Sequence, residues 1–267
     1  MKSTIGLAIS TLNDGIFNIA DLCNTGFDEV VVVHQITQIE QLENYKLEYA
    51  KLSAPHIMFI TMQETGLSKS RNACIENIST DFLLLCDDDN LLTENIYNTL
   101  LQSIEKYPDA IILTGKMLDE NMRAVKNYSD NSFLHTVRTA AKVSSCEMLL
   151  KRNWILQNKI SFNTQFGLGA IYPGGEEFIF MNDIIKAGGT ARYIPVNICI
   201  LETANTSGRN YTPAMVTAKG AMIRKVYGWK FLFINFAYTI RKYGEYKSSM
   251  SAWHFIQYIY FGSINYK

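Results

Sequence analysis

The chain has 267 residues, of which 48% are apolar and 19% are charged, with 5 prolines and 16 glycines. This composition excludes a disordered or collagen-like polymer and predicts a globular protein with a large core. Its 25 basic and 25 acidic side chains cancel, which argues against a protein whose main function is to bind a nucleic acid backbone.

The five cysteines are odd in number, lie far apart and form no CxxC pair, so neither a disulfide framework nor a zinc site is predicted. The first apolar run, residues 4–10, is too short for a signal peptide. The longest apolar stretch, residues 231–240, is interrupted by Asn235 and is too short to span a bilayer. We therefore expect a cytoplasmic protein.

Strand-like runs rich in β-branched residues alternate with helix-like segments in the first part of the chain. We predict strands over residues 5–10, 29–34, 57–61, 82–86 and 110–114. Apolar residues at three- and four-residue spacing predict helices over residues 16–24, 39–52, 68–78, 94–106, 146–157 and 176–187. The alternation predicts an α/β fold with a mostly parallel sheet flanked by helices.

Three adjacent acids, Asp87, Asp88 and Asp89, directly follow the apolar strand 82–86. The carboxyl end of a buried strand is where open α/β sheets bind ligands. Adjacent carboxylates repel one another, and Mg²⁺ or Mn²⁺ bound together with substrate phosphates would offset that repulsion. The alternative is a solvated turn with a helix N-cap, but the position at a strand end favours a binding site.

Upstream of this strand, residues 66–72 read Gly-Leu-Ser-Lys-Ser-Arg-Asn. Lys69 and Arg71 fall in the first turn of a predicted helix, where free backbone N–H groups already favour an anion. The segment is a candidate phosphate-binding site. The same two side chains could equally be exposed helix charges, so the segment alone does not decide between these interpretations.

Taken together, the 66–72 segment, Asp81, the apolar strand and the acidic triplet resemble the family 2 glycosyltransferases with the GT-A fold. The resemblance covers residues 1–115 well, the middle only around Glu176 and Glu177, and the tail chiefly in a subset from polysaccharide gene clusters. It implies a GT-A type, Rossmann-like domain. We place the only boundary before the basic and aromatic tail, which gives this domain residues 1–208 and a helical C-terminal appendage residues 209–267.

The resemblance also implies roles for the strand ends. The loop after the first strand, which includes Thr11 and Asn13, would contact the nucleoside of a nucleotide-sugar donor, for which we expect a UDP-sugar. Asp87 and Asp89 would form the DXD pair that holds Mn²⁺ or Mg²⁺, and Asp87 with Asp88 would lie at the donor diphosphate.

A second acidic motif, Glu176-Glu177, follows Gly174-Gly175 at the start of a predicted helix. In the family that this chain resembles, the second acid of such a pair is the catalytic base, which implies that role for Glu177 beside Glu176. An inverting transfer needs one ionised carboxylate within reach of the acceptor hydroxyl. The alternative is that both acids only complement the helix dipole.

Two positions depart from the family pattern. The second strand ends in His34-Gln35, where the family commonly has an acid that contacts the nucleobase, so the resemblance places His34 at the donor site and does not assign the base. Residues 202–209 resemble a loop that often carries a histidine near the metal, and none is present here. Arg209 is our candidate to neutralise charge in its place.

The sequence leaves other function classes to weigh. A nicotinamide dehydrogenase is excluded because residues 10–15 lack a GxGxxG motif. A sugar-nucleotide nucleotidyltransferase remains the enzymatic alternative, although the first strand lacks its Gly-rich, basic loop. A catalytically inactive, membrane-docked binding protein on the same fold is the non-enzymatic alternative. We predict a metal-dependent, inverting glycosyltransferase that acts on a surface glycan or a lipid-linked saccharide.

The tail, residues 219–267, has eight Lys or Arg against one acid, Glu245, and holds 14 of the 32 aromatic residues. Aromatic and basic side chains together are the pattern of a membrane interface. We expect this tail to attach the enzyme peripherally to the inner face of the membrane. The alternative is a pair of helices that pack their aromatic face on the catalytic domain or on a second subunit.

Overall fold

The computed structural model describes residues 2–201 and 211–266. Within these residues nine strands form one sheet: β1 (Ile5–Leu12), β2 (Glu29–Gln35), β3 (Ile57–Met62), β4 (Phe82–Asp87), β5 (Asn90–Leu92), β6 (Ala110–Leu118), β7 (Phe133–Leu134), β8 (Met148–Lys151) and β9 (Thr190–Leu201). The α-helices are α1 (Ala20–Cys23), α2 (Leu42–Leu52), α3 (Leu67–Asn77), α4 (Ile96–Lys106), α5 (Val137–Ala140), α6 (Arg152–Gln157), α7 (Glu176–Lys186), α8 (Pro213–Tyr227), α9 (Phe231–Tyr246) and α10 (Ala252–Asn265).

The sheet has the strand order β3-β2-β1-β4-β8-β6-β9-β5, and β7 pairs with β9. Strands β3, β2, β1 and β4 run parallel, as do β6 and β9, whereas β8 runs antiparallel between β4 and β6. The long pairings are therefore parallel, and the carboxyl ends of β1, β2 and β4 meet at one edge. This confirms the predicted α/β fold with a mostly parallel central sheet and a helical C-terminal region.

Two apolar layers cover the two faces of the sheet. One layer contains α3, α7 and the C-terminal helices, with Ile75, Phe180 and Ile259 among its buried side chains. The other contains α2 and α4 together with the segment after β1, with Tyr45 and Leu100 buried in it. Burial on both faces explains why β1, β2 and β4 are nearly continuous apolar runs.

Two predicted helices are wrong in type or extent. Residues 146–157 form the 3-10 turn Ser145–Glu147, strand β8 and only then the short helix α6. Met148, Leu149 and Leu150 are at most 1% exposed because β8 lies inside the sheet. A short apolar run fits a buried strand as well as a helix, and here the tertiary position decided. Residues 16–24 form a 3-10 helix, Asn13–Asn18, followed by the single turn α1.

The C-terminal helices pack on the layer that contains α7. Helices α8 and α10 approach closely through two glycines: a Cβ on Gly220 would lie 1.9 Å from the Ile259 carbonyl oxygen, and a Cβ on Gly262 would lie 1.9 Å from the Thr217 carbonyl oxygen. Phe255, Ile259 and Tyr246 are fully buried beside them. The domain boundary at residues 208 and 209 lies outside the described residues and stays a prediction.

Candidate active site

The candidate site lies at the sheet edge where β1, β2 and β4 end. The β1–β4 register places Ser10 beside Asp87, and the β1–β2 register places Thr11 beside His34. Each of these parallel strands delivers its last side chains to the same edge, where α/β folds bind ligands. The acidic triplet therefore projects from the edge that the sequence predicted.

Arg71 of α3 forms the centre of the site. Its Nη1 atom donates to Glu176 Oε1 at 3.1 Å and lies 3.7 Å from Glu177 Oε1. Its Nη2 atom lies 3.3 Å from both carboxylate oxygens of Asp87 and donates to Ser145 Oγ at 2.6 Å. One guanidinium thus joins the end of β4 to the start of α7.

The Arg71 side chain is only 2% exposed, so its charge depends on these partners. Burial alone lowers its pKa, but the carboxylates of Asp87, Glu177 and Glu176 outweigh burial and raise it. Its Nε atom and Glu176 Oε2 are buried without a hydrogen-bond partner among the described residues. Unsatisfied buried polar atoms are few in native proteins, and a catalytic role or a bound water or ion is a usual explanation for them.

Helix α7 begins directly at the two glutamates. Gly175 precedes them with φ 97°, a left-handed conformation that favours glycine, and a Cβ there would meet Met222 Sδ at 2.9 Å. Glu176 is buried, whereas the side chain of Glu177 is 21% exposed. Glu177 is therefore the acid of this pair that a substrate can reach.

Glu177 has the ionisation behaviour that a base at neutral pH needs. Burial, and then the neighbouring charge of Glu176, raise its pKa from the ordinary value of 4.5 to about 7, against the opposing effect of Arg71. A carboxylate with a pKa near the working pH is ionised part of the time and still basic enough to take a proton. This combination is a frequent mark of a functional site.

Asp88 faces β1 and not Arg71. Thr11 Oγ1 donates to Asp88 Oδ2 at 2.5 Å, and burial raises the pKa of Asp88. A Cβ on Gly15 would lie 1.8 Å from the same oxygen, so only glycine permits this approach. Asp88 therefore ties the acidic triplet to the segment after β1.

His34 of β2 contacts the segment after β1 through the Asn13 carbonyl group. The His34 ring is fully buried, with Nδ1 2.6 Å from the Tyr49 hydroxyl and Nε2 2.8 Å from the Asn13 carbonyl oxygen. Asn13 Oδ1 in turn accepts from the Thr37 backbone N–H at 2.8 Å. The structure places His34 under the loop that the sequence predicted to contact the nucleoside, and both ring nitrogens are already engaged within the protein.

The remaining predicted site residues lie apart from this centre. Lys69 is partly exposed and forms an ion pair with Glu64. Asp89 is exposed at the sheet edge and accepts a hydrogen bond from Asn90 Nδ2 at 3.0 Å. Arg209, with the 202–209 loop, lies outside the described residues.

The carboxylates partly fit the predicted divalent cation. Among residues 2–201 and 211–266, no three His, Cys, Asp or Glu side chains are placed together to hold a metal. Carboxylate oxygens are nevertheless the hard ligands that Mg²⁺ uses, and it often takes only one or two of them together with substrate phosphates. Asp89 and Asp87 would each share a carboxylate with a protein partner, Asn90 Nδ2 and Arg71 respectively.

Three contributors to the site were not predicted from the sequence. Ser145 accepts from Arg71 across 74 residues of chain, and the Phe162 ring centroid lies 5.7 Å from the Arg71 guanidinium carbon. Lys219 of α8 lies close enough for the charges of Glu177 and Glu176 to raise its pKa, against the larger lowering effect of its burial. No local motif marks any of these residues, so the sequence carries no signal for them.

The fold and the site together define an α/β protein with an acidic site at the carboxyl edge of its parallel strands. The model of the Glycosyl transferase family 2 matches residues 16–175, more than half of the chain, and the chain belongs to this family.

Known proteins with related sequence or fold agree with this assignment. The chain is 25% identical over 144 residues to the succinoglycan biosynthesis protein ExoM of Rhizobium meliloti (strain 1021), a match that covers 52% of this chain and 45% of that protein. The fold is similar to that of S. aureus TarS 1-349, with a TM-score of 0.65, 15% identity, and 96% of this chain and 81% of that chain covered. The same TarS fragment in complex with UDP-GlcNAc has a TM-score of 0.68 at 14% identity, with the same coverage.

Proposed function

We propose that this protein is an inverting, metal-dependent glycosyltransferase that moves a sugar from a nucleoside diphosphate donor to a surface glycan or a lipid-linked saccharide. The observation that carries the proposal is the Arg71 bridge, because it brings the acidic start of α7 to the strand end that carries the acidic triplet. A donor diphosphate at the triplet and an acceptor hydroxyl at Glu177 would then be neighbours.

Glu177 is the general base in this proposal. Its carboxylate takes the proton of the acceptor hydroxyl as that oxygen bonds to the anomeric carbon. The bond between the anomeric carbon and the diphosphate oxygen breaks at the same time, and the electron pair leaves with the nucleoside diphosphate. A single displacement of this kind inverts the anomeric centre. Glu176 holds Arg71 and thereby orients the start of α7.

Asp89 and Asp87 are the residues that would hold Mg²⁺ or Mn²⁺. The ion, when bound, neutralises charge that develops on the leaving diphosphate. Asp88 supports the same region from the other side, since its hydrogen bond with Thr11 fixes the triplet against the end of β1.

The donor would lie over the ends of β1 and β2. Thr11 and Asn13 are at this edge, and His34 fixes the backbone of Asn13. Solved structures of TarS with UDP and with UDP-GlcNAc support a uridine donor for the similar fold of this chain. Lys69 and Arg209 are the additional candidates to meet the phosphates.

We infer the class of the acceptor from the name of a related protein. ExoM is named for succinoglycan biosynthesis, and the match spans less than half of its length. We infer an acceptor of the same class, a glycan or a lipid-linked saccharide, and therefore a reaction in the cytoplasm at the inner face of the membrane.

A thermal-shift panel of nucleoside diphosphate sugars, with and without Mn²⁺, tests the proposal. A ligand at about 100 times its dissociation constant stabilises a fold by about 2.7 kcal/mol. We expect a UDP-sugar to raise the melting temperature more with Mn²⁺ than without it. If no sugar nucleotide shifts the melting temperature under either condition, the proposal is wrong.

Assays of the products released from the same sugar nucleotides separate the alternatives. A nucleotidyltransferase would release pyrophosphate from a nucleoside triphosphate and a sugar 1-phosphate. An inactive binding protein would be stabilised by a sugar nucleotide but would release no nucleoside diphosphate with any saccharide acceptor. The proposed enzyme releases the diphosphate, and it does so only when the divalent cation is present.

A further inference from the structure

Helix α9 has an inner face that belongs to the protein core. Phe231, Asn235, Thr239 and Tyr246 are buried along it. Asn235 Nδ2 donates to Ser263 Oγ of α10 at 2.8 Å, and Ser263 Oγ donates to the Gly220 carbonyl oxygen of α8 at 2.6 Å. This face corresponds to the packed helix pair that was the alternative interpretation of the tail.

A second side of α9, next to the buried one, is apolar as well, and the described residues leave it exposed. Five large side chains there, together with Trp229 in the 3-10 turn just before the helix, recur mostly every three or four residues, so they form one stripe. They are between 48% and 69% exposed. We call these residues the outer stripe: Trp229, Leu232, Phe233, Phe236, Ile240 and Tyr243.

Basic residues border the outer stripe. Lys230, Arg241 and Lys247 are exposed beside or at the ends of it on the same stretch of chain. The one acid of residues 219–267, Glu245, has its charge met by Lys242 at 2.6 Å, and it also accepts from the Tyr211 hydroxyl at 2.6 Å. The segment that carries the stripe, residues 229–247, therefore has a net positive charge.

The pattern of aromatic and basic side chains indicates which kind of partner the outer stripe would contact. Interfaces between proteins are depleted of lysine at their centres, whereas a helix that lies on a membrane has aromatic residues on one side and Lys or Arg beside them. Each basic residue near an anionic lipid surface contributes about 1 kcal/mol to binding. None of the helices within the described residues is long and apolar enough to cross a bilayer, which leaves attachment along the surface as the way for α9 to meet lipid.

We propose that the outer stripe of α9 inserts into the interface of an anionic lipid membrane, with α9 parallel to the bilayer plane. The inference deepens the proposed function, since a lipid-linked acceptor is found at such a surface. It does not depend on the transfer reaction, because lipid binding is measured without donor or acceptor.

Flotation of the full chain with vesicles tests the inference. We expect the protein to float with phosphatidylcholine vesicles that contain phosphatidylglycerol, to stay behind with pure phosphatidylcholine, and to dissociate as salt is raised. The double variant Phe233→Ser, Phe236→Ser should lower the lipid partition coefficient at least about tenfold. Both residues are exposed, so the melting temperature of the variant should stay close to that of the unmodified chain.

A matched control comes from the other face of the sheet. Ile39 and Leu47 are 64% and 63% exposed, and the double variant Ile39→Ser, Leu47→Ser removes two apolar side chains that lie away from α9. This variant should float like the unmodified chain. Equal losses in both double variants would overturn the inference, as would the failure of the unmodified chain to float at low salt. A dimer without lipid that the outer-stripe variant converts to a monomer would instead assign the stripe to a second copy.

Discussion

Arg71 and Glu176 form a buried ion pair at 3.1 Å, although 105 residues separate them in the sequence. Asp87 meets the same guanidinium from β4. Removal of one member of a buried ion pair leaves an uncompensated charge. Arg71 therefore both stabilises the fold and neutralises the carboxylates of the site. The site therefore depends on a contact between α3 and α7 that forms only when the chain has folded.

Arg71→Met tests the contribution of this ion pair to stability. We expect it to lower the free energy of unfolding by about 3–5 kcal/mol in urea denaturation, because the buried carboxylates lose their partner. Adding Glu176→Gln to the same chain should recover part of the loss. Lys225→Met, which removes an exposed charge from α8, should leave stability unchanged. Equal stability of Arg71→Met and the unmodified chain would contradict the structural role.

Glu177→Gln tests the base. Loss of a positioned general base typically lowers a rate by a factor of about 10² to 10⁴, so sugar transfer should fall by that amount while donor binding in the thermal-shift assay stays intact. Glu176→Gln is the matched variant in the same turn, and it should retain more activity but lose stability. The reverse order of activities would exchange the two roles.

The pH profile follows from the raised pKa of Glu177. A base must be ionised, so kcat/KM should fall about tenfold per pH unit below about 7, where the Glu177 carboxylate is protonated. The contribution of Glu177 to the free energy of unfolding changes with pH in the direction opposite to kcat/KM. The folded state holds a proton between pH 4.5 and about 7 that the unfolded state releases, so the free energy of unfolding decreases as pH rises through that window. Glu177→Gln should remove this contribution in urea titrations at several pH values.

Removal of the divalent cation tests whether the acidic triplet binds a metal that sugar transfer needs. Transfer should stop in excess chelator and return with Mn²⁺, and Asp89→Asn should abolish the return without changing the melting temperature of the free protein. Glu94 is an exposed acid a few residues further along the chain, and Glu94→Gln is the control that should respond to Mn²⁺ like the unmodified chain. Normal turnover in chelator would exclude the metal role.

His34 provides a test of the loop after β1. Replacing it with Phe leaves the Tyr49 hydroxyl and the Asn13 carbonyl without partners, which should cost about 1–3 kcal/mol in the free energy of unfolding. Because Asn13 loses its anchor, the thermal shift produced by a UDP-sugar should also shrink. If the shift is unchanged in His34→Phe, the loop does not contact the donor as proposed.

The sequence by itself determined the parallel half of the sheet, since β1, β2 and β3 are short apolar runs with β-branched residues, and these alternate with helical segments up to the apolar run of β4. It also marked the acidic triplet and the start of α7, because Gly175 and the acids that follow are signals within a few adjacent residues.

Only the tertiary structure decided the rest. It made residues 148–151 a strand because they fill the gap between β4 and β6, where a helix has no room. It also brought Arg71, Ser145 and Glu176 together, and it divided the tail into a buried and an exposed apolar face. Local pattern specifies backbone conformation and polarity, but contacts across many residues depend on how the elements pack, and no single segment encodes that packing.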